Sequence, residues 1–372
     1  MEVNQERIVE QFLELVKINS PSRNERELAD YLKRKLGTLS VTVEEDNAGD
    51  KFDGNTGNLI GRYPGDDSLP TIFLAAHMDI VRSAEGIKPV VEEGIIKTDG
   101  TTILGGDDKA GITAVLETLK VLQKSEINHG NIEIIFTSGE EIGLFGSMYL
   151  DREELEAEVG FVLDSGGPID KIIVSAPAEQ DFDIEIKGRA AHAGVEPEKG
   201  ISAIEVGCDI ITELRLGRID EETTANIGVI EGGEATNIVA DRLTIKGEAR
   251  SIDEDKLTEL VNEIKGVCQQ KEEEWQAEVN VEFKKAYSGF NLTEEDEVVK
   301  MAMQAVKEIG LTPKLRPRGG GSDANIFNDK GIPTVNLGVG VKNDHTTEEK
   351  VAIEDLVNCA RLVLAIVSNV RK

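Results

Sequence analysis

Between residues 71 and 164 the chain repeats one pattern, an apolar run that stops abruptly at polar or acidic residues. Residues 71–76, 131–137 and 159–164 are such runs, and residues 109–124 carry apolar side chains at helical spacing. Strands this apolar must be covered on both faces. With a helix between them they predict an α/β domain built on a buried central sheet. In such folds sites gather where strands end and loops begin. His77 follows the first run, Glu140-Glu141 the second, Asp164 closes the third, and Asp107-Asp108 stand just ahead of the helix.

Upstream, Ile8, Phe12, Leu15 and Val16 mark the apolar face of a first helix, and Leu28, Tyr31, Leu32 and Leu36 that of a second. Ser22 followed by Glu25 has the spacing of a capping box for the second helix. Short strands are expected at 40–43 and 58–63. After Pro177 the organisation changes. Strand 181–188, helix 201–216, strands 225–230 and 241–250, helix 253–275 and strand 279–285 make a β-α-β-β-α-β, ferredoxin-like unit. Helix and strand patterning returns from residue 291, and a loop around His345 near the C-terminus must rejoin the first domain if both histidines serve one site. The expected organisation is therefore a discontinuous catalytic domain, residues 1–177 and 288–372, with an inserted α+β domain at 178–287.

The net charge is 41 − 71 = −30 over 372 residues. This acidic excess argues against nucleic acid or an anionic membrane as partner. Three widely spaced cysteines, Cys208, Cys268 and Cys359, each fall on an expected helix beside apolar residues, which reads as buried thiols in a reducing compartment. The N-terminal stretch has no apolar signal-like region, and no apolar run approaches a membrane span. A cytoplasmic location is expected.

The chemistry is concentrated in few residues. Only four histidines occur. His77 and Asp79, two apart on an emerging strand, can face the same side, so that Asp79 orients the imidazole. Asp107-Asp108 precede a helix, where acidic residues also serve as caps, but Gly105-Gly106 allow a sharp turn before them. Adjacent Glu140 and Glu141 point in different directions. One can then bind metal while the other takes a proton from water. Asp164, ionised at the end of an apolar strand, needs a cationic partner: a metal or a helix N-terminus. His129, between Asn128 and Gly130, reads as an exposed turn residue.

The blocks Ala76-His77-Met78-Asp79, Gly105-Gly106-Asp107-Asp108-Lys109-Ala110-Gly111, Gly139-Glu140-Glu141-Ile142-Gly143, Asp164 and His345-Thr346-Thr347-Glu348 resemble, in order and spacing, the co-catalytic dizinc exopeptidases. That family includes peptidase T, aminoacylase and carboxypeptidase G, and the resemblance is greatest to peptidase T-like tripeptidases. It implies a zinc-exopeptidase-like α/β domain with a central mixed sheet and an inserted ferredoxin-like lid and dimerisation domain. It also implies two divalent metal ions, zinc first, with cobalt or manganese fitting the same ligands. His77 and Asp164 would complete one metal site and Glu141 and His345 the other. Asp107 would bridge them, its peptide bond to Asp108 being cis. Asp79 would orient His77, and Glu140 would be general base toward a metal-bridging water. His192 matches the lid histidine that stabilises the oxyanion. Asn237 and Arg250 fall where relatives hold the substrate carbonyl and carboxylate, and Arg318 with Gly319-Gly320-Gly321 resembles the family's substrate loop.

Two blocks depart from peptidase T: Gly105-Gly106-Asp107-Asp108, where peptidase T usually has Gly-Ala-Asp-Asp, and Gly320-Gly321-Ser322-Asp323-Ala324, where it has Gly-Gly-Thr-Asp-Gly. Both leave the metal chemistry untouched and bear on tripeptide preference. The activity the resemblance implies is a cytoplasmic aminopeptidase acting on short peptides, working as a homodimer. An amidohydrolase of N-acyl amino acids with the same metals is the alternative. A non-catalytic metal-binding scaffold is a third reading, against which the spare carboxylate of Glu140 argues.

Overall fold

The computed structural model describes residues 2–370, and the chain divides into two compact units. The first takes the residues up to 174, 292–318 and those from 322 on; the second takes 175–291 and 319–321.

The first unit is built on a mixed sheet. Its main strands are β1 (Thr42–Glu45), β2 (Leu59–Tyr63), β3 (Ile72–His77), β4 (Ile132–Thr137), β5 (Val159–Ser165), β6 (Lys171–Ala176) and β7 (Thr334–Gly338), in the order β1-β2-β4-β3-β5-β7-β6. The pairs β4–β3, β3–β5 and β5–β7 are parallel. The pairs β1–β2, β2–β4 and β7–β6 are antiparallel. The central strands β3, β4 and β7 are buried along their whole length, which is why they read as apolar runs rather than alternations. Helix Gly106–Leu122, itself almost wholly buried, packs on β3 and β5 and is covered by helices Gln5–Leu15 and Ile353–Ser368. At one crossing the packing tolerates only glycine: a Cβ on Gly160 of β5 would lie 2.0 Å from Cζ of Phe73 on β3.

Register decides where the polar residues arrive. His77 pairs with Thr137 across β3–β4, so the Glu140-Glu141 loop leaves the sheet at the level of His77. Ala75 pairs with Val162 across β3–β5, which brings Asp164 to the same level. His345 lies in the hairpin between strands Val341–Lys342 and Lys350–Ala352. That hairpin joins a small sheet with Ile95–Lys97 and Val90–Glu92. These strands of two or three residues are too short to show a period in sequence.

In the second unit, strands Ala178–Lys187, Thr223–Gly232, Arg242–Ser251 and Glu278–Tyr287 form an antiparallel sheet with helices Ala203–Glu213 and Glu254–Trp275. Thr223–Gly232 and Glu278–Tyr287 flank the central pair of Arg242–Ser251 and Ala178–Lys187. This is the ferredoxin-like arrangement expected. Phe182, Ile184 and Ile186 alternate into its core with Leu243, Ile245 and Leu260.

Three local readings are corrected. The second helix spans Arg26–Thr38, and its N-cap, Glu25, makes no side-chain cap bond. Ser22 and Glu25 are spent elsewhere, as described below. Cys208 is exposed rather than buried, because helix Ala203–Glu213 turns Ala203, Val206, Gly207 and Ile210 inward; Cys268 and Cys359 are buried thiols. His129 is half-buried, stacked 5.4 Å from the ring of Tyr63.

Candidate metal centre

The strand ends of the first unit bring His77, Asp107, Glu141 and His345 to one place. His77 is 2% exposed at the end of β3, and its Nε2 stands 3.4 Å from Oδ1 of Asp107. His345 Nε2 is 3.4 Å from the other oxygen of Asp107 and 3.0 Å from Oε1 of Glu141. Asp107 therefore sits between two imidazoles. Its peptide bond to Asp108 is cis. His77, Asp107 and Glu141 offer donor atoms that all lie within 4.8 Å of one another, and so do Asp107, Asp344 and His345. Asp344 is a potential donor that the sequence motifs did not single out.

Surrounding groups fix these side chains. Asp79, fully buried, accepts the amides of Glu140 (3.0 Å) and Glu141 (3.1 Å) and the hydroxyl of Ser22 (2.6 Å). It turns its main-chain carbonyl, 2.9 Å away, toward Nδ1 of His77, while its carboxylate is 3.4 Å from that nitrogen. The orienting acceptor for His77 is thus the carbonyl of Asp79 more than its side chain. Asp108 accepts the main-chain N–H of His77 at 3.2 Å. Glu25 accepts the amide of Gly139 at 2.9 Å, ahead of the Glu140-Glu141 pair. Asp164 is engaged by the guanidinium of Arg318, 3.3 Å away, and by the amide of Asn336, also 3.3 Å away. It is not in either donor cluster. Thr137 and Ser147 donate to buried Asp323, at 2.6 and 2.5 Å.

The electrostatics are those of an over-acidic pocket. Burial, reinforced by the charge of Asp164, raises the Glu140 carboxyl well above its usual range. Burial also opposes charge on Asp107, but the two imidazoles outweigh it and hold that carboxyl low. The close approach of the Asp107 and Glu141 carboxylates pushes His345 up to about 10. Despite these short approaches, Asp107 Oδ1 and Glu141 Oε1 are buried without a hydrogen-bond partner. Buried anionic oxygens that face imidazole nitrogens and yet bond to nothing are what a cation site requires.

The remaining candidate residues lie in the second unit. Ala193 donates its amide to the carbonyl of Asn237 at 3.0 Å, and His192 bridges Ile238, so His192 and Asn237 sit on neighbouring exposed segments. Arg250 is already paired, with Glu248 (2.8 Å) and Glu179 (3.2 Å), and it donates to the hydroxyl of Tyr287. That hydroxyl also accepts the amide of Gly321 at 3.0 Å.

A covered mixed sheet with imidazoles and carboxylates gathered at its loops, and a ferredoxin-like unit inserted in the chain, are the architecture of a family of peptidases. The chain belongs to peptidase family M20/M25/M40, whose sequence profile matches residues 73–369. Aminopeptidase PepT of Bacillus cereus superposes with a TM-score of 0.93 at 45% identity, covering 100% of both chains. A tripeptidase of Staphylococcus aureus gives 0.96 at 39% identity over 100% of this chain and 99% of its own. Peptidase T of Fusobacterium nucleatum is 30% identical over 91% of this chain and 82% of its own length.

Proposed function

We propose that this chain is a metal-dependent aminopeptidase that removes the N-terminal residue of short peptides. The observation that carries this reading is Asp107, set between His77 and His345 with one buried oxygen that no hydrogen bond satisfies. Similarity to a PepT aminopeptidase and to a tripeptidase supports the substrate class.

The donor set fits two divalent cations, zinc first. His77 with Asp164 would hold one, Glu141 with His345 the other, and Asp107 both. Bound there, the ions would polarise the scissile carbonyl and lower the pKa of water. The chain's own residues then divide the labour. Glu140, held through its amide by Asp79, would accept the proton of the attacking water and deliver it to the leaving amine nitrogen. Arg318 would balance Asp164 and the developing negative charge. His192, Asn237 and Arg250 are assigned to the oxyanion and to the substrate's carbonyl and carboxylate.

We assign catalysis to the first unit, and the lid and a homodimer contact to the second. Val229 and Ile230 on strand Thr223–Gly232, with Ile204 and Ile238, expose apolar surface that a second copy would cover. Buried Cys268 and Cys359, both free thiols, suit the cytoplasm. Among the described residues no helix is long and apolar enough to cross a membrane. Equilibrium dialysis tests the metal assignment: about two zinc ions per chain are expected in the wild type, and loss of both in Asp107→Ala. Full zinc binding by that variant would contradict it.

A further inference from the structure

The two turns that carry Asp107 and His345 are tied together by one buried carboxylate. The hairpin loop of residues 343–349 exposes His345, whose backbone is left-handed. Four residues on, Glu349 is 2% exposed. Its Oε2 accepts the amides of Leu104 and Gly105 at 2.8 and 2.7 Å, and its Oε1 those of Gly106 and Asp107 at 2.7 and 3.0 Å. Four donors fill the four acceptor positions of a carboxylate.

These amides belong to the turn that leads into helix Gly106–Leu122, whose backbone is non-helical at Asp107 and Asp108, so the turn needs an acceptor for them. The sequence around them is shaped to the carboxylate. Gly105 takes φ +66°, in the left-handed region. A Cβ on Gly106 would lie 3.1 Å from Glu349 Oε1, closer than a relaxed contact. Buried Lys109 donates to the carbonyl of Ile18 at 2.6 Å, which anchors the start of the helix that follows the turn.

We propose that Glu349 is a positioning residue that fixes Asp107 relative to His345, so that both metal donors are in place before a metal arrives. This rests on the metallopeptidase reading. Glu349 spends all its acceptor capacity on main-chain amides, so it acts through Asp107 and not on substrate. Preorganisation of this kind lowers the ordering cost of binding, and its loss in groups that orient metal ligands typically weakens metal binding by about 10–100-fold.

The test compares wild type, Glu349→Gln and Gly106→Ala as full-length proteins. Glu349→Gln points an amide N–H₂ at two main-chain N–H groups; Gly106→Ala presses on the carboxylate without removing it. Zinc affinity is read by chelator competition, and exchange of the amides of residues 104–107 is read in the metal-free proteins. The expected result is slow exchange of those amides in the wild type, fast exchange in Glu349→Gln, and a zinc dissociation constant raised about 10–100-fold. With zinc saturating, kcat should fall more than KM changes. Should Glu349→Gln fail to fold, Gly106→Ala must show weakened zinc binding in the same direction. A contact that only stabilises the fold would lower the melting temperature and leave the zinc affinity of the folded variants at the wild-type value, and that result overturns the proposal. A wild type that binds zinc no more tightly than either variant overturns it alone. A wild type that takes up no zinc overturns the metallopeptidase reading and the proposal with it.

Discussion

The hydroxyl of Ser22 donates to Oδ2 of Asp79 at 2.6 Å, joining the segment that enters the second helix to the carboxylate beneath the Glu140-Glu141 turn. Asp79 has no exposure, and its two oxygens are committed to the amides of Glu140 and Glu141 as well. Replacing it with Asn would turn an N–H₂ toward donors. Asp79→Asn should fold and should lose about 10–100-fold in activity, as is usual for groups that orient metal ligands. Ser22→Ala, which leaves both amide bonds intact, should lose only several-fold. Steady-state rates on one peptide, with circular dichroism as control, check the order of the two effects. Equal losses would contradict it.

Glu140→Ala should abolish turnover, with a loss of at least about 100-fold from the missing proton transfer. Zinc content should stay at the wild-type value, because the proposed mechanism gives Glu140 the proton of water and no part in holding metal. Metal analysis beside the rate assay checks both halves.

Gly160→Ala probes the crossing of β5 over Phe73. With an added Cβ 2.0 Å from the ring, which is also packed 4.4 Å from Phe327, strands or rings must move. A loss of about 1–3 kcal/mol is expected from such overpacking. Urea unfolding measures it, and an unchanged midpoint would show that the crossing has slack.

Acid stability should depend on Glu45. Burial opposes its ionisation, but Arg26, Lys33 and Thr56 outweigh burial and hold its pKa down to about 2. The folded value lies below the ordinary value of about 4.3. Its contribution is therefore present in full above that value and is lost as pH falls toward 2. Glu45→Gln should be less stable than wild type at pH 6, with the difference shrinking between pH 4.5 and 2. Urea midpoints across that range check the trend. A constant difference would contradict it.

Much of this architecture was legible in the chain. The apolar runs of β3, β4 and β5 announced a covered sheet because their residues are buried on both faces. The order of strands and helices after Pro177 announced the ferredoxin-like unit, in which Leu243 and Ile245 alternate into the core. His77 and Glu141 stood out at the ends of apolar runs and Asp107 just ahead of a helix, while His345 stood out through the resemblance of its block. The groups that hold these residues in place did not stand out, because they act through main-chain amides that no motif records. Ser22 and Glu25 have the spacing of a capping box and serve the Asp79 and Gly139 turns instead. Glu349 falls one residue beyond the block around His345 and finds its partners more than 240 positions away. Asp164 reads as needing a cation, and among the described residues Arg318 provides one from a loop 154 positions on.

The most direct test of the account is hydrolysis of a free-amine tripeptide beside its N-acetylated twin, with zinc or cobalt added and with chelator as control. Release of the N-terminal residue from the free tripeptide alone, abolished by chelator and restored by metal, is the predicted result. Cleavage of the acetylated compound alone would contradict the aminopeptidase assignment and make the enzyme an acylase.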